Sequence, residues 1–159
     1  TRFFATLINI EKARIRGVEA SANLSLWRNL FTLDASATWT NPMIQDAGTH
    51  DGIQLPFASG DYLSYRPRLI AYLTPTINIG AFSLAADFAY TSKLQREQVQ
   101  VFKDDQRIAK RQLDVRGSYS YKSLLVQLIV RNALYYNFAQ IERNIGEARN
   151  FALALQWEY

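Results

Sequence analysis

Cysteine is absent and histidine occurs once in the 159 residues. Without thiols there is no disulfide framework, no thiolate metal site and no cysteine nucleophile. The solitary His50 has no second imidazole to ligate a transition metal with, and a single His argues against a catalytic constellation of the Ser–His kind, while a Cys–His pair is excluded outright. Asp46, Asp51 and Asp61 lie around His50, but their spacing is not that of a calcium loop. No metal, no cofactor and no enzymatic activity are expected. Glycine (7) and proline (4) are too sparse for a low-complexity chain. No run of apolar residues approaches the roughly 18 needed for a membrane helix. The net charge of +4 comes from 18 basic and 14 acidic residues scattered along the sequence, which excludes a nucleic-acid stripe. The 48% hydrophobic and 13% aromatic content is organised in another way.

That organisation has period two, the signature of strands with one apolar face. Phe31, Leu33, Ala35, Ala37 and Trp39 alternate with Thr32, Asp34, Ser36, Thr38 and Thr40. Phe82, Leu84, Ala86, Phe88 and Tyr90 repeat the pattern, as do Leu113, Val115, Gly117, Tyr119 and Tyr121, and then Phe151, Leu153, Leu155, Trp157 and Tyr159. Three segments alternate less cleanly: Val18 to Leu26, with a parity break near Gly17 that reads as a β-bulge; Leu69 to Ile77, weakened by Pro75; and Leu124 to Arg131. Seven strands result, and the weak pattern from Phe3 to Ile8 offers an eighth. Each apolar face runs about ten residues without a charge, the length a tilted strand needs to cross a bilayer. A soluble sandwich or small closed barrel would show the same alternation, with the apolar side as its core.

The connections separate these readings. Strands one and two join through Trp27, Arg28 and Asn29, three and four through Asn78, Ile79 and Gly80, and five and six through Lys122 and Ser123. The other joins are long: Asn41 to Asp61, Lys93 to Arg107, and Gln140 to Glu147. Short turns at one rim and long loops at the other are the asymmetry of bacterial outer-membrane barrels. Trp27, Tyr121 and Trp157 fall near the short-turn rim, and Trp39, Tyr62, Tyr65 and Tyr90 near the other, as interfacial belts do. The fold class expected is all-β, an antiparallel transmembrane barrel segment of about seven to eight meandering strands.

Two segments resemble one family. Asn9 to Glu19 resembles the N-x-x-x-A-x-x-x-G-V-E segment of TonB-dependent receptors, with Asn9, Ala13, Gly17, Val18 and Glu19 in place. Leu128 to Tyr136 resembles their penultimate strand, with Asn132-Ala133-Leu134-Tyr135 standing where Asn-Leu-Phe-Asp is usual. The last strand is similar to their closing strand. Its alternating Phe151, Leu153, Leu155 and Trp157 and terminal aromatic Tyr159 resemble the signal read by the barrel-assembly machinery. The resemblance implies a C-terminal portion of a barrel of about twenty-two strands. It further implies an N-terminal plug that is absent here, TonB as energising partner through that plug, a bacterial outer-membrane location with lipid around the barrel, and import of an iron-siderophore, cobalamin or oligosaccharide. An odd strand count and an open first edge agree with a fragment. A small autonomous barrel with a structural or adhesion role is the alternative; a barrel enzyme is disfavoured by the single histidine.

Candidate sites follow from the two faces. Asp34, Arg68, Asp87, Asp114, Arg116 and Arg131 are expected on the polar side, lining a lumen and pairing with each other or with a plug. Arg14, Arg16, Arg96 and Arg107 are candidates for an anionic ligand at the loop rim, and Tyr62 and Tyr65 for stacking on a sugar or catechol, although a girdle role suits both tyrosines equally.

Overall fold

The computed structural model describes residues 12–48, 57–95, 108–137, 139–141 and 144–157. It contains β1 (Lys12–Leu26), β2 (Phe31–Asp46), β3 (Leu69–Ile79), β4 (Phe82–Thr91), β5 (Lys110–Tyr121), β6 (Leu124–Arg131), β7 (Ala139–Ile141), β8 (Asn144–Ile145) and β9 (Asn150–Trp157). Seven of these form one antiparallel sheet in the order β1-β2-β3-β4-β5-β6-β9, so every strand pairs with its neighbour in the chain apart from the small β7–β8 hairpin inserted before β9. All seven expected strands are present. No helix among the described residues is long and apolar enough to cross a membrane, a test that does not bear on strands.

The register places one side-chain class on each face. Val18 pairs with Trp39 and Ala20 with Ala37; Ala35 then meets Leu73, Leu73 meets Phe88 and Phe88 meets Leu113. Val115 meets Val130, and Val130 meets Phe151. Paired residues share a face because successive side chains alternate across the sheet. The result is a single apolar surface across seven strands that stands largely open among the described residues. Val18 is 66% exposed, Leu84 53% and Leu153 67%. The buried hydrophobic residues among those described are Ile44, Ala47, Ala85 and Leu94, none of them on this surface. A sandwich core is therefore excluded: Leu84 and Leu153 do not converge on a dry centre.

Three sequence expectations about local geometry are corrected. Gly17 is not a bulge, because the register runs unbroken from Ala13 to Leu26; the irregularity lies between Lys12 and Ala13, where Gln45 is passed over. Gly17 is required for another reason. A Cβ there would stand 2.5 Å from the Trp39 carbonyl oxygen, so the two backbones approach too closely for a side chain. Second, β2 does not end at Thr40 but continues to Asp46, since β1 keeps it paired on one edge while the returning segment hydrogen-bonds the other (Ile44 N to Asp61 O 2.9 Å, Leu63 N to Pro42 O 3.0 Å). Third, Asn78 and Ile79 belong to β3, and the turn is Gly80-Ala81, with Gly80 at φ 59°. The segment from Gln140 to Glu147, expected as a loop, holds most of the β7–β8 hairpin.

Pro75 lies in mid-strand without ending β3. It pairs with Leu33 on the β2 side, but on the β4 side the ladder steps from Leu73–Phe88 to Thr76–Ala85. The missing proline N–H opens that gap, and the Thr74 hydroxyl spans it by donating to Asp87 Oδ1 at 3.1 Å.

The short-turn rim is tied together by side chains. Trp27, Arg28 and Asn29 all adopt positive φ (50°, 55° and 69°), a left-handed run that costs each residue about 1–2 kcal/mol. Several bonds hold it. Ser25 Oγ donates to Asn29 Oδ1, Leu30 N to Trp27 O at 3.2 Å, and from β3 the Asn78 side chain and backbone N donate to Asn29 O (2.9 Å) and Leu30 O (2.8 Å).

Candidate functional site

Asp34, Asp87, Asp114, Arg116 and Arg131 stand on the polar face in hydrogen-bonded or ion-paired groups. Asn23 donates to Asp34 across β1 and β2. Asp87 accepts from Thr74 and lies 3.5 Å from the Arg116 guanidinium, with the two side chains 39% and 41% exposed. Asp114 accepts from the Asn132 backbone N at 2.9 Å and from Gln112 at 3.3 Å. Arg131 donates to Asn150 at 3.4 Å, and Gln127 to Ser118 at 3.2 Å. The expected residues Asp34, Asp87, Asp114, Arg116 and Arg131 thus share one face, and each satisfies itself locally. A hollow of about 270 Å³ lies on that side between Asn23, Asp34, Tyr72 and Thr74. Tyr72, an exposed aromatic on the polar face, was not singled out from the sequence; its parity with Thr74 and Thr76 was the available signal.

Arg68 departs from expectation. It immediately precedes β3, and its guanidinium lies over the rings of Trp39 (5.7 Å) and Tyr62 (5.2 Å) instead of joining Asp87 and Arg116. Met43 bridges Tyr62, so the pair Trp39–Tyr62 belongs to the apolar side. Strand parity failed here because a residue outside the ladder is free to turn toward aromatic rings, where a cation–π contact replaces an ion pair.

Arg14 and Arg16 are also on the apolar side. Their unbroken register places them with Met43 and Asn41, and the four residues with Gln45 line a small cleft of about 90 Å³. They therefore face away from the polar surface. Arg96 and Arg107 lie outside the described residues, as does Tyr159. Tyr65 adopts a positive φ of 58° in the segment leading to β3. Of the four ligand candidates among the described residues, Arg14 and Arg16 share a cleft that neither Tyr62 nor Tyr65 lines. Asp46 and Asp61 are engaged in their own loop, accepting from Gly48 N (3.0 Å) and Ala58 N (2.8 Å), and the described residues hold no cluster of potential metal ligands.

The alternating residues of the last strand, Phe151, Leu153, Leu155 and Trp157, all stand exposed on the apolar face. The Asn132 motif is structural. This residue is 1% exposed at φ 48°, and its side chain donates to Tyr136 O and Glu147 O (3.3 and 2.8 Å) while accepting from Tyr136 N at 3.1 Å. One asparagine so joins the ends of β6 and β9 to β5.

A seven-stranded meander with an uncovered apolar face is the geometry of a piece of a barrel wall, and the model of the family described as TonB dependent receptor-like, beta-barrel matches residues 1–133. The chain belongs to the TonB-dependent receptor β-barrel family. This is a family of outer-membrane receptors and not of enzymes. Among solved structures the receptor barrel segment is similar to the siderophore receptor PiuA from Acinetobacter baumannii, with a TM-score of 0.72 at 17% identity. The likeness covers 92% of this chain and 22% of that one, so the chain spans under a quarter of PiuA's length. No curated protein sequence matches it. At this identity the likeness of the receptor barrel segment to PiuA speaks to fold alone.

Proposed function

We propose that residues 1–159 form the closing, C-terminal part of the barrel of a TonB-energised outer-membrane importer of a scarce nutrient. The plug and TonB-contacting segment belong to the remainder of the protein. The observation that carries this reading is the uncovered apolar surface. Monomeric soluble proteins rarely expose contiguous apolar patches beyond a few hundred Å², whereas a barrel wall needs such a band against lipid. Both edges of the sheet, β1 and β9, lack a further partner among the described strands, and an unpaired edge calls for closure by other strands. The concavity of about 540 Å³ between Ile77, Phe82, Leu84, Tyr119 and Leu128 lies on the lipid side and suits acyl chains rather than a cargo.

In this reading the polar face lines the interior. Asp34, Asp87, Asp114, Arg116 and Arg131 then serve mainly as wall and plug contacts, since each already has a partner. Phe151, Leu153, Leu155, Trp157 and Tyr159 present the signal for the barrel-assembly machinery. The cargo is an iron-siderophore, cobalamin or an oligosaccharide, chosen by the plug and loops. The test is uptake of each labelled nutrient by cells making the full-length protein, with and without TonB. TonB-dependent accumulation of one of the three is expected. Uptake indifferent to TonB, or a protein recovered from the soluble fraction, refutes the proposal.

A further inference from the structure

Tyr72 is the one aromatic residue that the sheet carries on its polar face among the described residues. Its ring is 55% exposed and meets no second ring and no cation among them. An open ring among Ser, Thr, Asn and Asp forgoes hydrophobic stabilisation until something is laid against it. The register gives its surroundings. Ser21 pairs with Ser36 and Ser36 with Tyr72; one step nearer the short-turn rim on the same face, Asn23 pairs with Asp34 and Asp34 with Thr74. These six side chains make two rows of three across β1, β2 and β3, about 7 Å apart along the strands and about 10 Å wide. The hollow of about 270 Å³ lies within this grid. Ser36 stands five residues from Phe31. That is about 17 Å of chain and about 13 Å of height at a tilt of about 40°, half-way through a 25 Å wall.

The lining fixes the chemistry of a ligand. Ser21, Ser36, Tyr72 and Thr74 bring hydroxyls, each able to donate and to accept, and Asn23 brings a carboxamide. Asp34 accepts from Asn23 through Oδ1, and its Oδ2 accepts nothing among the described residues. No basic residue lines the hollow. The charged residues bordering the grid on the same face are acidic as well: Glu19, next after Ser21 on β1, and Asp87, which accepts from Thr74. Arg116 lies beyond, against Asp87. An anion is therefore repelled, and a bare cation leaves the hydroxyl donors unanswered. A sugar ring meets both demands, with hydroxyls that donate and accept and an apolar C–H face for the tyrosine. Pockets for whole small molecules begin at about 300 Å³, so this hollow takes one ring and not a complete cargo.

We propose that Ser21, Asn23, Asp34, Ser36, Tyr72 and Thr74 form a transit subsite for one unit of an uncharged oligosaccharide on the inner wall of the barrel. The inference rests on the importer reading above and selects the saccharide among its three cargo classes. The sugar ring stacks on Tyr72, and Asp34 Oδ2 accepts from one of its hydroxyls. A strongly anionic ferric tris-catecholate finds no cation in the hollow, and cobalamin is far larger than the space.

The experiment measures TonB-dependent uptake by cells making the full-length protein. They are offered short labelled gluco-, manno-, galacto- and xylo-oligosaccharides, and separately ferric tris-catecholate and cobalamin. Uptake of at least one of the neutral oligosaccharides is expected. Its efficiency, maximal rate over half-saturation concentration, is expected to fall about tenfold in Asp34→Asn, which loses a charged acceptor, and about three- to tenfold in Tyr72→Leu, which loses the ring face. Tyr72→Phe keeps the ring and loses less than Tyr72→Leu. Ser83→Ala, on the same face outside the grid, leaves uptake unchanged. Heat-sensitive gel mobility identifies folded barrels, and Asp34→Asn, close in shape to the native residue, carries the test should Tyr72→Leu not fold. Uptake of ferric tris-catecholate or cobalamin without any saccharide overturns the subsite while the importer reading stands. Saccharide uptake equal in wild type, Asp34→Asn and Tyr72→Leu does the same, and TonB-independent leakage of small solutes through those variants would then make the grid a seat for the plug. No TonB-dependent uptake of any of these solutes overturns both.

Discussion

Leu153→Arg is the sharpest test of which side of the sheet meets lipid. Leu153 stands four residues from Trp157 at the short-turn rim, pairs with Leu128, and is 67% exposed on the apolar face. Four strand residues are about 13 Å of chain, or about 10 Å of height at a 40° tilt, which puts this side chain close to the middle of a 25 Å apolar band. An arginine at that depth costs about 2–4 kcal/mol, which at 1.4 kcal/mol per tenfold is a loss of roughly 30- to 700-fold in the folding equilibrium. Ile79, the last residue of β3, is equally exposed on the same face but at the rim, where the same charge costs about 0–1 kcal/mol. Ala154 neighbours Leu153 in the chain but points to the polar face opposite Gln127, so Ala154→Arg should cost less than about 1 kcal/mol. The assay is reversible guanidinium unfolding of the full-length protein in vesicles, followed by tryptophan fluorescence and by the heat-sensitive gel mobility of a folded barrel. A soluble core would punish both apolar-face arginines alike, whereas lipid imposes a gradient with depth. Equal penalties for Leu153→Arg and Ile79→Arg, or a larger one for Ala154→Arg, refute the orientation.

Further outcomes follow from the same coordinates. Gly17→Ala should destabilise by about 1–3 kcal/mol, the range for forcing extra atoms into a filled space, because its Cβ meets the Trp39 carbonyl oxygen at 2.5 Å; Gly117→Ala, with nothing within 4 Å, should be neutral or slightly stabilising in the same unfolding assay. Asn132→Ala removes three side-chain bonds at a buried left-handed position and should cost roughly 2–4 kcal/mol, read as lower unfolding midpoint and faster proteolysis between β6 and β9. A double-mutant cycle on Asp87→Asn and Arg116→Gln should return a coupling below about 1 kcal/mol that weakens with salt, since both side chains are substantially exposed. Asn78→Ala should loosen the strained turn at Trp27 to Asn29 by about 1 kcal/mol per lost bond, seen as faster amide exchange of Leu30.

The fold was legible because a wall strand imposes its rule on every second residue. Phe82 to Tyr90 and Leu113 to Tyr121 each alternate over a full crossing, and short turns between long loops supplied the direction of the chain. What the pattern could not show lies where the ladder ends or its backbones crowd. At Gly17 a change of parity suggested an inserted residue, yet the strand stays in register and simply carries Ile15 on the polar side and Arg16 on the apolar side. Distinguishing a bulge from a close backbone approach needs the partner strand, and Trp39 is twenty-two positions away in sequence. Arg68 was assigned by parity to the polar face, but one residue before a strand parity has no force, and two aromatic rings outcompete a shared carboxylate. The two misreadings have a common consequence. Arg14 and Arg16 are candidates by sequence for an anionic ligand at the loop rim and Arg68 for pairing in a lumen, and their register and ring contacts place all three on the apolar side of the sheet, near Trp39. Arg14, Arg16 and Arg68 depart from alternation at the long-loop end of the sheet, whereas Leu125 and Ile129 put apolar side chains on the polar parity within β6, where their neighbours Ser120 and Arg116 keep the face polar.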